Sequence, residues 1–163
     1  MYKVLWIALC FGFVSGSAQA ANLHTGNVEV GGTIAMDFYS GGTSAFYTNP
    51  SAQYFVMDRF SLGLTGTVST YTNSRSTYSL GPVGTVYFLD GNVAPFVSLI
   101  PIEWYLRGSG NPYYFTTVKA GVKFFFNDSV AFGPQVSLVH RHPRNGGASI
   151  DNVQVAGVFS IHL

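Results

Sequence analysis

The chain has 163 residues, 47% hydrophobic and 16% aromatic but only 9% charged, against about 25% in ordinary soluble domains. Eight Lys and Arg against seven Asp and Glu give a formal net charge of +1, without the basic stripe of a nucleic-acid binder. The apolar content excludes disorder and the scarcity of charge opposes a fully wetted exterior, which leaves a single-domain secreted β-protein or one set in lipid.

Residues 1–20 read as a secretory signal peptide. Lys3 supplies the positive start, Val4 to Val14 form a short apolar run, and Ala18-Gln19-Ala20 offers the small-x-small cleavage site. The run falls short of the ~20 residues that a bilayer-spanning helix needs. Cys10 follows Leu9 rather than a small residue, so it is not read as a lipidation site. Cleavage after Ala20 removes this one cysteine and leaves residues 21–163 as the expected barrel, with no disulfide available to it.

Beyond Ala20 no apolar run is long enough for a transmembrane helix, and alternation of period two recurs instead. Eight strands are predicted, at about 25–39, 50–57, 61–71, 78–89, 93–106, 113–126, 129–142 and 149–163. In the first, Val28, Val30, Gly32, Ile34, Met36 and Phe38 alternate with Asn27, Glu29, Gly31, Thr33, Ala35 and Asp37. Asp58–Ser61, Asp90–Asn92 and Asn127–Ser129 read as short turns rich in Asp, Asn and Ser. Ser40–Asn49, Thr72–Thr77, Arg107–Pro112 and Pro143–Ala148 read as longer, more polar connections. In the last strand Val153, Val155, Gly157, Phe159, Ile161 and Leu163 share one face, and Asn152, Gln154, Ala156, Ser160 and His162 the other.

An even strand count, with short turns at one end and longer loops at the other, describes an all-β, eight-stranded antiparallel up-and-down transmembrane β-barrel. The rival is a soluble lipocalin-like barrel or β-sandwich, which would need more charge outside. Aromatics also gather near strand ends, as two membrane interfaces favour. Tyr54, Phe60, Phe88, Phe96, Phe124 and Phe132 lie near the short turns; Tyr39, Tyr71, Tyr78, Trp104, Tyr113 and Tyr114 lie near the long loops.

The stretch Tyr54-Phe55-Val56-Met57-Asp58-Arg59-Phe60-Ser61-Leu62-Gly63 resembles a hairpin of the small outer-membrane β-barrel domain family, which includes OmpX-like barrels and the OmpA membrane domain. Ala94-Pro95-Phe96-Val97 is similar to a later strand opening of that family. Gln53 stands where the family often has Gly, and the chain ends in Leu163 rather than an aromatic residue. The resemblance implies a bacterial outer-membrane location in a Gram-negative cell, reached with the help of periplasmic chaperones and the barrel-assembly machinery. It specifies no activity.

Eight strands enclose an interior that side chains can fill. Alternation places six ionisable residues inward: Glu29, Asp37, Glu103, Lys119, Lys123 and Arg141. Glu29 and Lys123 belong near the short-turn end, Lys119 near mid-depth, and Asp37, Glu103 and Arg141 near the long-loop end. Pro101 is placed to bend its strand and alter the facing of Glu103. Three charges of each sign predict a paired network that closes the lumen; the alternative is a narrow porin-like conduit for ions or very small solutes. Arg75, Arg107 and Arg144 are candidate contacts for lipopolysaccharide phosphates, since the guanidinium fork suits phosphate.

A weaker alternative is a lipid A-modifying enzyme. The segment His140-Arg141-His142-Pro143-Arg144-Asn145-Gly146 is faintly similar to a deacylase segment, but His142 occupies the place of the nucleophilic serine. His140 and His142 share a strand face and read as an interfacial pair, while His24 and His162 lack an evident partner set. The expectation is therefore a monomeric, non-enzymatic barrel without cofactor or metal. Its role would be structural or surface-interactive, with outer-membrane lipid and lipopolysaccharide as partners and no nucleic acid.

Overall fold

Side chains of a strand point alternately to opposite faces, so a chain of alternating strands can enclose one face and expose the other. That is the arrangement in the computed structural model, which describes residues 22–38, 44–71, 76–107, 113–143 and 150–163. The strands are β1 (Val28–Phe38), β2 (Ser44–Met57), β3 (Phe60–Tyr71), β4 (Thr77–Tyr87), β5 (Val93–Arg107), β6 (Tyr113–Phe125), β7 (Val130–Pro143) and β8 (Ile150–His162). Each pairs antiparallel with its neighbour in sequence, and β1 with β8 closes the barrel.

Closure is uneven along the seam. The β1–β8 register runs from Glu29 opposite His162 to Ile34 opposite Gly157. Val28 and Leu163 extend it at the short-turn end by exchanging backbone hydrogen bonds of 2.8 and 2.9 Å. Beyond Ile34, towards the long connections, the described residues of β1 and β8 are not paired with each other.

The exterior is an apolar wall. Ile34, Leu64, Leu99, Leu138, Val153 and Val155 all stand exposed on it. In water so wide a patch would drive association; hydrocarbon is the solvent that suits it. Tyr54, Phe88, Phe124 and Phe132 stand outward near the short turns, and Tyr78, Trp104 and Tyr114 stand outward near the other end. Phe96 departs from the expected girdle. It is buried inside the barrel, because it shares the parity of Ala94, Ser98 and Ile100.

Two strand starts differ from the sequence expectation by three residues or more. β2 begins at Ser44, inside the expected loop, and Phe46 pairs with both Met36 and Thr70. Pro50 obscured this strand, since proline cannot donate to a ladder; its register with Gly32 is nevertheless kept, and its carbonyl accepts from Thr65 Oγ1 at 3.2 Å. β1 starts at Val28 rather than at 25, because Thr25 and Gly26 form a turn in which Gly26 has φ +98°.

One irregularity positions a lumen residue. β5 shifts register by one residue against β6 between Ile100 and Glu103, and against β4 between Leu99 and Trp104. This bulge contains Pro101 and reverses the parity of the strand: Ile100 points inward, Trp104 outward, and Glu103 is turned into the lumen. Close approach of backbones explains Gly133, where a Cβ would overlap the Val122 carbonyl oxygen.

Candidate functional site

The inward face changes character with depth. Nearest the short turns it is aromatic. Phe55 on β2, Tyr87 on β4, Phe96 on β5 and Phe125 on β6 fill the lumen together with Ala94, Ala131 and Val158. Leu23 joins them from the segment before β1 and is fully buried. A backbone strap holds it there: the Arg59 N–H donates to the Leu23 carbonyl at 2.8 Å, and the Asn22 N–H to the Asp128 carbonyl at 3.2 Å. Thr25 adds its N–H and hydroxyl to Asp58 Oδ1 at 2.9 and 3.0 Å. Those two bonds, the backbone one foremost, hold the Asp58 carboxyl below its usual range.

Above this layer sits an ion pair. Lys123 Nζ donates to Glu29 Oε1 at 2.5 Å and to Tyr87 Oη at 2.6 Å, while the Tyr87 hydroxyl donates to Glu29 Oε2. The ammonium also lies 5.1 Å from the Tyr87 ring centre and 5.3 Å from that of Phe96, within cation–π range. Glu29, Tyr87 and Lys123 are all buried. Their mutual bonds meet the condition under which buried charge is tolerated.

His162, which the sequence left without partners, completes this plug. It is fully buried, its ring centre 5.0 Å from Phe125 and 6.0 Å from Phe55. Its Nε2 lies 3.1 Å from Ser160 Oγ and 3.7 Å from Glu29 Oε2. Ser, His and Glu thus meet, but both partners face the same ring nitrogen. A nucleophilic relay needs the acid on one nitrogen and the serine on the other, and this contact does not have that arrangement.

At mid-depth the lining becomes small and polar. Gln53 Oε1 accepts from Ser61 at 3.1 Å and from Thr85 at 2.8 Å, and Thr85 Oγ1 lies 2.8 Å from Ser98 Oγ. The cavity here is about 30 Å³, room for about two waters. Further out, a relay of hydrogen bonds crosses four strands. Thr33 donates to Asn49 Oδ1 at 2.8 Å, Asn49 to Thr67 at 2.5 Å, and Thr67 to Glu103 Oε1 at 2.5 Å. Ser79 donates to the same Glu103 oxygen at 2.5 Å.

The half towards the long connections holds a larger cavity of about 390 Å³. Glu103, Lys119 and Arg141 line it, among hydroxyls and amides such as Thr117, Ser137 and Gln154. Among the described residues the predicted charges are seen to pair at one place. Glu29 and Lys123 meet; Glu103 and Lys119 do not, because the bulge aims Glu103 at the hydroxyls of Thr67 and Ser79. Asp37 lies in β1, but its side chain is outside the described residues. So are Arg75, Arg144 and the side chain of Arg107, the last residue of β5.

On the outer wall, His142 stacks on Tyr114 at 4.5 Å and meets His140 edge-on at 4.4 Å. Among the described residues, no group of three or more His, Cys, Asp or Glu is placed to hold a metal ion. His24 at the opposite rim is exposed, with Nδ1 3.8 Å from Asp58 Oδ1.

Comparison with known proteins adds a fold. No family model matches the chain, and no curated protein matches it. Among solved structures it is similar to the crystal structure of the N-terminal β-barrel domain of Pseudomonas aeruginosa OprF, with a TM-score of 0.58 and 16% identity. The match covers 89% of this chain and 100% of that one. The two share one fold. Both are β-barrels, and the lumen side chains described above are this chain's own.

Proposed function

We propose that this chain is a small integral protein of a bacterial outer membrane, with a structural or surface-interactive role and a sealed lumen. Residues 1–20 would direct export and be cleaved, and chaperones and the barrel-assembly machinery would deliver residues 21–163. The short turns would face the periplasm and the long connections the cell exterior. The apolar wall supports the membrane setting. The observation that carries the sealed lumen is the plug, in which Glu29, Lys123, Tyr87 and His162 lie over an aromatic layer corked by Leu23.

Planar-bilayer recording of the refolded mature barrel tests the reading. The expected result is no steady openings from protein that shows heat-modifiable migration on a gel. Reproducible openings that change in Lys123→Ala would instead establish the conduit. Contact with lipopolysaccharide phosphates through Arg75, Arg107 and Arg144 belongs to the same proposal. Replacing all three with Ala is expected to weaken lipopolysaccharide binding in detergent solution, most visibly at low salt; undiminished binding removes that part.

A further inference from the structure

The plug accounts for Glu29 and Lys123, but not for Lys119. This side chain is nine-tenths buried and lines both lumen cavities, the small one at mid-depth and the larger one beyond it. Among the described residues it makes no hydrogen bond and no ion pair, although its ammonium carries three donors. An ammonium held in this way, facing open volume rather than a protein acceptor, is an incomplete site.

The surroundings indicate what would complete it. The larger cavity measures about 390 Å³, inside the ~300–1,000 Å³ range of small-molecule sites. Lys119 lines it together with Arg141 and Glu103. Glu103 acts on Lys119 through space, but its Oε1 is engaged by Thr67 and Ser79 and no hydrogen bond joins it to the ammonium among the described residues. Thr117, Ser137, Asn152 and Gln154 add hydroxyl and amide groups on the facing strands, and Phe115 and Ile100 supply apolar surface. Below it, the mid-depth cavity above the plug measures only about 30 Å³, room for about two waters.

We propose that the outer lumen is a blind binding pocket for a small hydroxylated anion, such as a sugar bearing one phosphate or carboxylate. The anionic group would be received by Lys119 at the floor, and the hydroxyls by the Ser, Thr, Asn and Gln lining. This goes beyond the structural role, for a barrel can be sealed below and still hold a ligand above. The same chemistry occurs in free sugar phosphates and in the phosphorylated sugars of surface glycolipids.

The test is amide-resolved NMR titration of the refolded mature barrel in detergent micelles with glucose 6-phosphate, and with glucose as the neutral control. Saturable shifts at Thr117, Ser137 and Ser79 are expected with the phosphate and not with glucose. Lys119→Met should weaken the apparent affinity about tenfold or more, as loss of a charge-assisted hydrogen bond does. Lys119→Arg should restore most of it, and Arg59→Gln at the opposite rim should leave it unchanged. Displacement by lipopolysaccharide would identify the glycolipid as the source, and persistence of the shifts would identify the free solute. Absence of saturable shifts in folded wild-type protein overturns the proposal, as does equal affinity in Lys119→Met.

Discussion

The two ends of this barrel solve opposite problems with the same strand geometry. Towards the short turns, the lumen is filled by aromatic rings, an ion pair with a shared tyrosine, and a leucine brought in from outside the sheet. The β1–β8 seam is paired there. Towards the long connections the same strands enclose about 390 Å³ lined by hydroxyls, amides and charges, and the seam pairing has stopped. Side-chain size at inward positions makes the difference. Phe, Tyr and Leu close one half, while Ser, Thr, Asn and Gln leave the other open. The expectation that follows is a larger share of stability at the filled end and more solvent access at the other.

The comparison breaks most sharply at Lys123. Lys123→Met leaves Glu29 buried without its cation and is expected to cost about 3–5 kcal/mol in urea unfolding of the refolded barrel. The double variant Glu29→Gln/Lys123→Met should recover much of that loss, since it leaves no uncompensated charge. Equal stability of Lys123→Met and wild type would mean that the plug is not held by this pair.

Leu23→Ala comes next, at about 2–3 kcal/mol. The low part of the range for buried leucines is expected because the strap can settle into the space left. Asn152→Ala, in the lining of the outer cavity, should fall within about 0.5 kcal/mol in the same assay. If the two substitutions cost the same, the unequal halves are not unequal in energy.

The smallest effect concerns the strap and pH. Asp58 has its carboxyl held below the ordinary value of 3.8 by Thr25. Its contribution is complete above that value and is lost as pH falls through the lower, folded one. The Thr25 amide resonance should therefore move only at pH below about 3.8, and Asp58→Asn should abolish the movement. A midpoint at the ordinary carboxylate value would show that Thr25 does not hold Asp58 in solution.

Much of the fold was legible because period-two alternation reports facing directly. Val30 and Ile34 outward, with Glu29 and Thr33 inward, need no more than that rule. Depth is what alternation omits. Phe96 reads as one more interfacial aromatic until its parity is matched with Ala94 and Ser98, and Tyr87 and His162 share inward parity without any local sign that they converge on Glu29. Leu23 precedes the first strand, where there is no period to read. Glu103 is the converse case. Its inward facing was expected and Pro101 marked an irregularity beside it; the register of both neighbouring strands shows the one extra residue that keeps the carboxylate in the lumen. The pairing of Glu29 with Lys123 joins residues far apart in sequence, so charge balance signalled a partner without naming it.

The unequal lumen is tested most directly by cysteine accessibility, for which residues 21–163 offer a background free of cysteine. Single cysteines would replace Gln154, half-buried in the outer cavity, and Ser160 in the plug, in the folded barrel, and react with a small water-soluble thiol reagent. Rapid labelling is expected at 154 and protection at 160 until the barrel is unfolded. Comparable labelling rates at both positions would contradict it.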